Sequence, residues 1–143
     1  MNYTVFDMNT GRVLRVFDTD SIAQVAIQSR ANHEIVLEGE HPDHLWHWGD
    51  QEPALRPPVL PFSERTIEAG EVLSLDVPHG TGVIYELTDQ PLNRLGRFPR
   101  ETAVIDDGNF AFKSGKLGTF TFIFLPPFPF LQEHELQVIV NAV

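Results

Sequence analysis

The chain has no cysteine, which excludes disulfides, thiolate metal sites and thiol catalysis. Basic side chains are scarce: 10 Lys and Arg stand against 20 Asp and Glu, a formal charge of -10. Nucleic acids and anionic membranes select clustered cations, so neither is an expected partner. Long apolar runs are also missing. The most apolar stretch, Leu117 to Leu131, is too short to span a bilayer as a helix. Pro126, Pro127 and Pro129 would break such a helix in any case. Met1 to Arg12 alternates and carries Asp7, the wrong pattern for an export signal. The expectation is a soluble chain without membrane insertion.

What is present is enough for a core. The 143 residues are 42% apolar, suited to one domain of common size or two small ones. Tyr3 to Asp7 reads as a strand, Met8 to Gly11 as a turn, and Arg12 to Phe17 as the partner strand. Asp20 is positioned to cap a short helix with Ile22, Val25 and Ala26 on one face, ended by Asn32 or a neighbour. Glu34 to Glu38 and Leu45 to Trp48 follow as strands, with Gly49-Asp50 as a turn. Four prolines then fall within residues 53–61, favouring extended chain that cannot donate ladder hydrogen bonds. The expected organisation is a small mostly-β module over 1–56 with one short helix, a proline-rich linker over 57–61, and a second module over 62–143.

The second module reads as strand and turn throughout. Seven candidate strands begin near Arg65, Val72, Val83, Ala103, Asn109, Thr119 and Glu135. Their patterning has period two: Leu73, Leu75 and Val77 share a face, as do Val83, Tyr85 and Leu87, then Phe120, Phe122 and Phe124, then Leu136, Val138 and Val140. Seven short strands separated by turn signals match an immunoglobulin-like β-sandwich. The predicted fold class is therefore mainly β: a small antiparallel α+β module followed by that sandwich. Seven of the eleven phenylalanines lie between Phe110 and Phe130, and most are expected in the core.

Chemistry-bearing motifs are sparse. His41, His44 and His47 would suit zinc on a helix, but Pro42 opposes a helix there and the histidines read as loop and edge-strand residues. Asp106-Asp107-Gly108-Asn109 has the residues of a hairpin turn. None of the five serines sits in G-x-S-x-G. Gly80-Thr81-Gly82 precedes a strand, as a turn does, and no cofactor fingerprint is present. No catalytic residue, metal ligand or cofactor is predicted. The candidate contact residues are Arg94, Arg97 and Arg100 in a long connecting segment, Phe128 and Phe130 in a proline-stiffened loop, and Trp46 and Trp48.

The order of these segments resembles small tail-associated virion proteins of bacteriophages. The resemblance rests on the hairpin Tyr3 to Arg15, the strand Glu34 to Glu40, the aromatic Trp46-His47-Trp48, Arg56-Pro57-Pro58, and Gly118 to Phe122 with Pro127-Phe128-Pro129-Phe130 before the last strand. It covers nearly the whole chain with short motifs; residues Arg94 to Arg100 depart from it. It implies a structural or adaptor role at a tail tip, baseplate or tail-fibre attachment. Other virion proteins would be the partners, with multiple copies per particle. The protein would be made in the bacterial host cytoplasm and localised in the virion. Alternatives are a host-surface or glycan-binding immunoglobulin-like module, a capsid decoration protein, or a zinc hydrolase built on His41, His44 and His47.

Overall fold

The computed structural model describes residues 1–28, 32–88 and 90–143, and its architecture is mainly β with several sheets. The chain divides into two compact units, Met1–Pro57 and Pro58–Val143.

In the first unit, β1 (Asn2–Asp7) is the centre of an antiparallel sheet between β2 (Val13–Asp18) and β3 (Glu34–Glu38). Thr4, Val5 and Phe6 of β1 are fully buried. A buried hydroxyl needs partners, and Thr4 has two. Its Oγ1 donates to the Gly39 carbonyl at 2.7 Å and accepts from the His41 N–H at 2.9 Å. That pins the loop after β3 to the central strand. The β1–β2 turn closes because the Asp7 carboxylate accepts from the N–H groups of Asn9 and Thr10, while Gly11 adopts φ +79°.

Four expectations for this unit change. The helix α1 (Ile22–Gln28) starts from Ser21, whose Oγ accepts from Gln24 N–H at 3.4 Å; the carboxylate of Asp20 instead faces the N-terminal ammonium. Ile22 is 87% exposed, so the helix has no continuous apolar face through that position. The Ala26 side chain lies outside the described residues, as do residues 29–31 next to the expected stop; Asn32, expected to end the helix itself or through a neighbour, is in a turn. Finally, Pro53 belongs to a strand. β4 (Trp46–Gly49) and β5 (Glu52–Leu55) form a hairpin in which Trp48 pairs with Pro53. Its turn is Asp50–Gln51, both at positive φ, not Gly49–Asp50. Proline is tolerated because, among the described residues, this two-stranded ribbon leaves one side of β5 without a ladder.

The second unit contains β6 (Glu64–Glu68), β7 (Val72–Asp76), β8 (Thr81–Glu86), β9 (Arg100–Ile105), β10 (Asn109–Lys113), β11 (Gly118–Leu125) and β12 (His134–Asn141). Five of them form one sheet in the order β6-β12-β11-β8-β9, antiparallel except for the parallel β6–β12 pair. β7 and β10 form a two-stranded sheet. The two sheets meet through phenylalanines. Phe110 lies 5.1 and 5.0 Å from Phe122 and Phe124, and Phe112 lies 5.2 and 5.0 Å from Phe120 and Phe122. Three of these four contacts are edge-to-face, the arrangement that ring quadrupoles favour. Leu136, Val138 and Val140 complete the core from β12.

Two connections also differ from expectation. Asp106-Asp107-Gly108 does not close a hairpin: it hands the chain from β9 in the five-stranded sheet to β10 in the two-stranded sheet. The turn residues serve the same local purpose, with Gly108 at φ +74° and Asp107 Oδ1 accepting from Asn109 N–H. The proline-rich stretch 57–61 is more than a spacer. Leu60 is 5% exposed within the core of this unit, with Val59 packed against it.

Replacing Phe122 by Ala should therefore cost about 3–5 kcal/mol, read as a lowered midpoint in urea. Val104→Ala, on a strand position 61% exposed, should stay within about 0.5 kcal/mol. A separate expression of residues 58–143 should give a cooperative thermal transition, since all seven strands and their core lie within it.

Candidate interaction surfaces

The segment joining β8 to β9 begins where Leu87 N–H donates to the Pro99 carbonyl at 2.7 Å. Within it, Asn93 organises the tip. Its side-chain oxygen accepts from Leu95 and Arg97 N–H, its own N–H donates to the Arg97 carbonyl, and Gly96 N–H donates back to the Asn93 carbonyl. Gly96 turns the chain at φ +73°. An asparagine side chain that imitates backbone in this way makes a compact turn without a core. The tip exposes Arg94 and Arg97 beside Leu92 and Leu95, the last 78% exposed.

Arg100 does not join them. It opens β9, with its guanidinium 3.5 Å from the Glu86 carboxylate on the neighbouring strand. The three-arginine arm read from sequence thus resolves into a two-arginine tip and one cross-strand ion pair. Spacing of three suggested one cluster; pairing of Glu86 with Arg100 decides otherwise.

The other candidates are more committed to packing than expected. Phe128 and Phe130 are both half-buried, so they are not a freely exposed anchor. Phe130 N–H donates to the Pro127 carbonyl, and the Phe128–Pro129 bond is cis. Trp46 meets the His41 ring edge-on at 4.6 Å and Trp48 lies 5.6 Å from Phe6. These tryptophans cover the first unit's small core, and a half-buried face remains on each. His41 is held by Thr4 and Trp46, while the His47 ring sits over Gly49. Among the described residues no group of three or more His, Asp or Glu side chains is arranged to hold a metal.

Two features escaped the sequence reading. The first is the burial of Arg56, the last residue of the module expected over 1–56, beside Pro57 and Pro58. This residue is 4% exposed. Burial pushes its guanidinium below the ordinary arginine value; the neighbouring Asp43 carboxylate opposes that shift and Arg12 adds to it. Asp43 also accepts from Arg12 at 2.9 Å. One carboxylate thus serves two guanidinium groups.

The second is a cavity of about 400 Å³ in the second unit, between β10 and the β8–β11 part of the larger sheet. Phe110, Phe112, Phe120, Phe122, Val83 and Tyr85 are among its lining residues. It opens because two strands face five. The period-two pattern announces an apolar face but not the width of the sheet that covers it. At one margin Tyr85 OH donates to Glu101 Oε2 at 2.9 Å. The hydrogen bond to that carboxylate raises the Tyr85 phenol above its ordinary value, with burial and the negative charge of Glu101 adding to the effect.

Comparison with protein-family models, with curated protein sequences and with solved structures returns no match. No helix among the described residues is long and apolar enough to cross a membrane.

Three outcomes follow from these geometries. Arg94→Ser with Arg97→Ser should leave the unfolding midpoint within about 0.5 kcal/mol of the parent, because both side chains are exposed. Asp43→Asn should destabilise the first unit by about 0.5–1 kcal/mol, the scale of a solvent-exposed ion pair, measured by urea unfolding. For Tyr85, the raised folded-state value means its hydrogen bond stabilises below about pH 10, the ordinary phenol range, and is lost as pH rises through the folded value. Absorbance titration at alkaline pH should show the Tyr85 midpoint moving down in Glu101→Gln.

Proposed function

We propose that this protein is a structural adaptor of a bacteriophage virion, at a tail tip, baseplate or tail-fibre attachment. Its second unit would be an immunoglobulin-like module. The strand order supports that fold reading. Taken in chain order as A, B, C, C′, E, F and G, the seven strands put A, G, F, C and C′ in one sheet and B with E in the other. That division keeps C, F and G together, extends them by C′, and opposes them to B and E.

The observation that carries the adaptor role is the Asn93-ordered tip. It presents two arginines and two leucines on a preformed turn. A pre-ordered loop loses little conformational freedom on docking, and arginine beside exposed apolar surface is the chemistry of protein contact sites. The partner would be a neighbouring virion protein offering carboxylates and an apolar shelf. The segment similarity to tail-associated virion proteins supplies the particle context.

Antibodies against this chain should decorate the tail of purified particles from a phage that encodes it, seen by immunogold electron microscopy. Arg94→Ser with Arg97→Ser should reduce incorporation several-fold while leaving the free protein folded. Absence of the chain from density-purified particles would overturn the assignment. Incorporation of the double variant at the parental copy number would remove the tip from it.

A further inference from the structure

The open side of the second unit joins two features: an apolar groove and an unpaired strand edge. β10 is hydrogen-bonded to β7, and no described strand pairs with its other edge. Register fixes which backbone groups face outward. Val77 N–H donates to the Gly108 carbonyl, and Phe110 and Phe112 pair with Leu75 and Leu73. In an antiparallel ladder, alternate residues point their polar groups to opposite sides. Residues 110 and 112 therefore bond β7, and 109, 111 and 113 face the open edge. The side chain of Asp107 accepts from Asn109 N–H. Ala111 and Lys113 then offer N–H groups, and Asn109 and Ala111 offer carbonyls.

The groove begins at this same edge. Ala111 lines it together with residues of β8 and β11, and no residue of β7 does. β10 sits over β11 through its phenylalanines. In the larger sheet β8 and β9 lie beyond β11, so the floor projects two strands past β10. On that floor Glu101 and Ala103, opposite Tyr85 and Val83, remain exposed. At about 4.8 Å per strand, the shelf has the width of one added strand with a margin.

We propose that this edge and groove receive one extended peptide segment of a partner protein, by β-strand addition to β10. Its alternate apolar side chains would fill the groove over Phe120 and Phe122, and a basic residue would face Glu101. Each element of that occupant has a reason. The open N–H and carbonyl groups require an extended backbone. A period-two strand beside β10 points every second side chain to the floor. On the floor the charged group is Glu101, beside Tyr85, whereas the Glu86 carboxylate is paired with Arg100 and Lys113 lies on the outward face of β10. A second copy joined through β10 is disfavoured sterically. Its own projecting β8 and β9 would compete for the same space. The inference stands on strand topology and does not depend on the virion assignment.

The test uses the full chain and three labelled probes: a nine-residue peptide with threonine alternating with floor-facing valines, the central valine replaced by lysine (the valine–lysine peptide); the same peptide with glutamate in place of that lysine (the valine–glutamate peptide); and the dye 8-anilinonaphthalene-1-sulfonate. Fluorescence anisotropy should show saturable binding of the valine–lysine peptide, at least tenfold tighter than the valine–glutamate peptide. Amide exchange should slow at Ala111 and Lys113. Ala111→Pro, which removes an outward N–H that the ladder to β7 does not use, should weaken peptide binding at least tenfold without moving the melting temperature. Glu101→Lys should reverse the charge preference, and it decides the matter if Ala111→Pro fails to fold. Saturable binding by neither peptide, binding without protection at Ala111, or dye binding in the groove with no peptide protection would each overturn the proposal. The last would make the groove a small-molecule site.

Discussion

The second unit depends on one contact: the phenylalanines of β10 set into those of β11. Four ring pairs between 5.0 and 5.2 Å join the two-stranded sheet to the larger one. A two-stranded ribbon is marginal alone in water. Its stability comes from Phe110 and Phe112 being covered, along with Leu73 and Leu75 from β7. The same contact fixes where the cover ends. Because β10 lies over β11, part of β8 and β9 is left uncovered, around Tyr85, Glu101 and Ala103, while Thr81, Val83 and Ile105 stay buried. The groove, the exposed Glu101 and the outward edge of β10 are all consequences of that placement.

The first unit solves a different problem. Its core is small, centred on Thr4, Val5 and Phe6, and polar groups do much of the positioning. Thr4 ties down residues 39–41, Gly11 accepts from Trp48 N–H, and Leu45 accepts from Arg56 N–H. Burying Arg56 has a desolvation cost that the nearby Asp43 charge offsets in part. Such an arrangement contributes more to a defined geometry around the hairpin of β4 and β5 than to net stability. Trp46 and Trp48 are held in place by it.

The surfaces with the best claim to a partner share a physical feature: their order does not wait for the partner. Asn93 orders the Arg94–Arg97 tip through its side chain, and the β10 edge is fixed by the ladder to β7. Both therefore present hydrogen-bonding and charged groups in a set geometry, which limits the entropy lost on association. The two are different in kind. The tip offers side chains to a surface, and the edge offers backbone to a strand.

Strand identity and facing were legible in the residues alone. Leu73, Leu75 and Val77 are all buried, as are Phe122, Phe124, Leu136, Val138 and Val140, because a period-two pattern records which side chains share a face. Turn chemistry was equally readable at Gly11 and Gly108, where only a permissive residue sits comfortably at positive φ. What lay beyond the sequence was everything set by neighbours distant in the chain. Asp106-Asp107-Gly108 has hairpin residues yet connects two sheets, since local turn geometry does not say which edge the next strand will find. Pro53 read as extended chain outside any ladder because a proline pattern cannot show that β4 will pair on its other side. Arg100 read as part of a basic arm because sequence spacing does not reveal that Glu86 stands opposite it. Arg56 and the groove were invisible for the same reason. Burial of a charge and width of a covering sheet are properties of packing, and packing is decided only when the strands have chosen their partners.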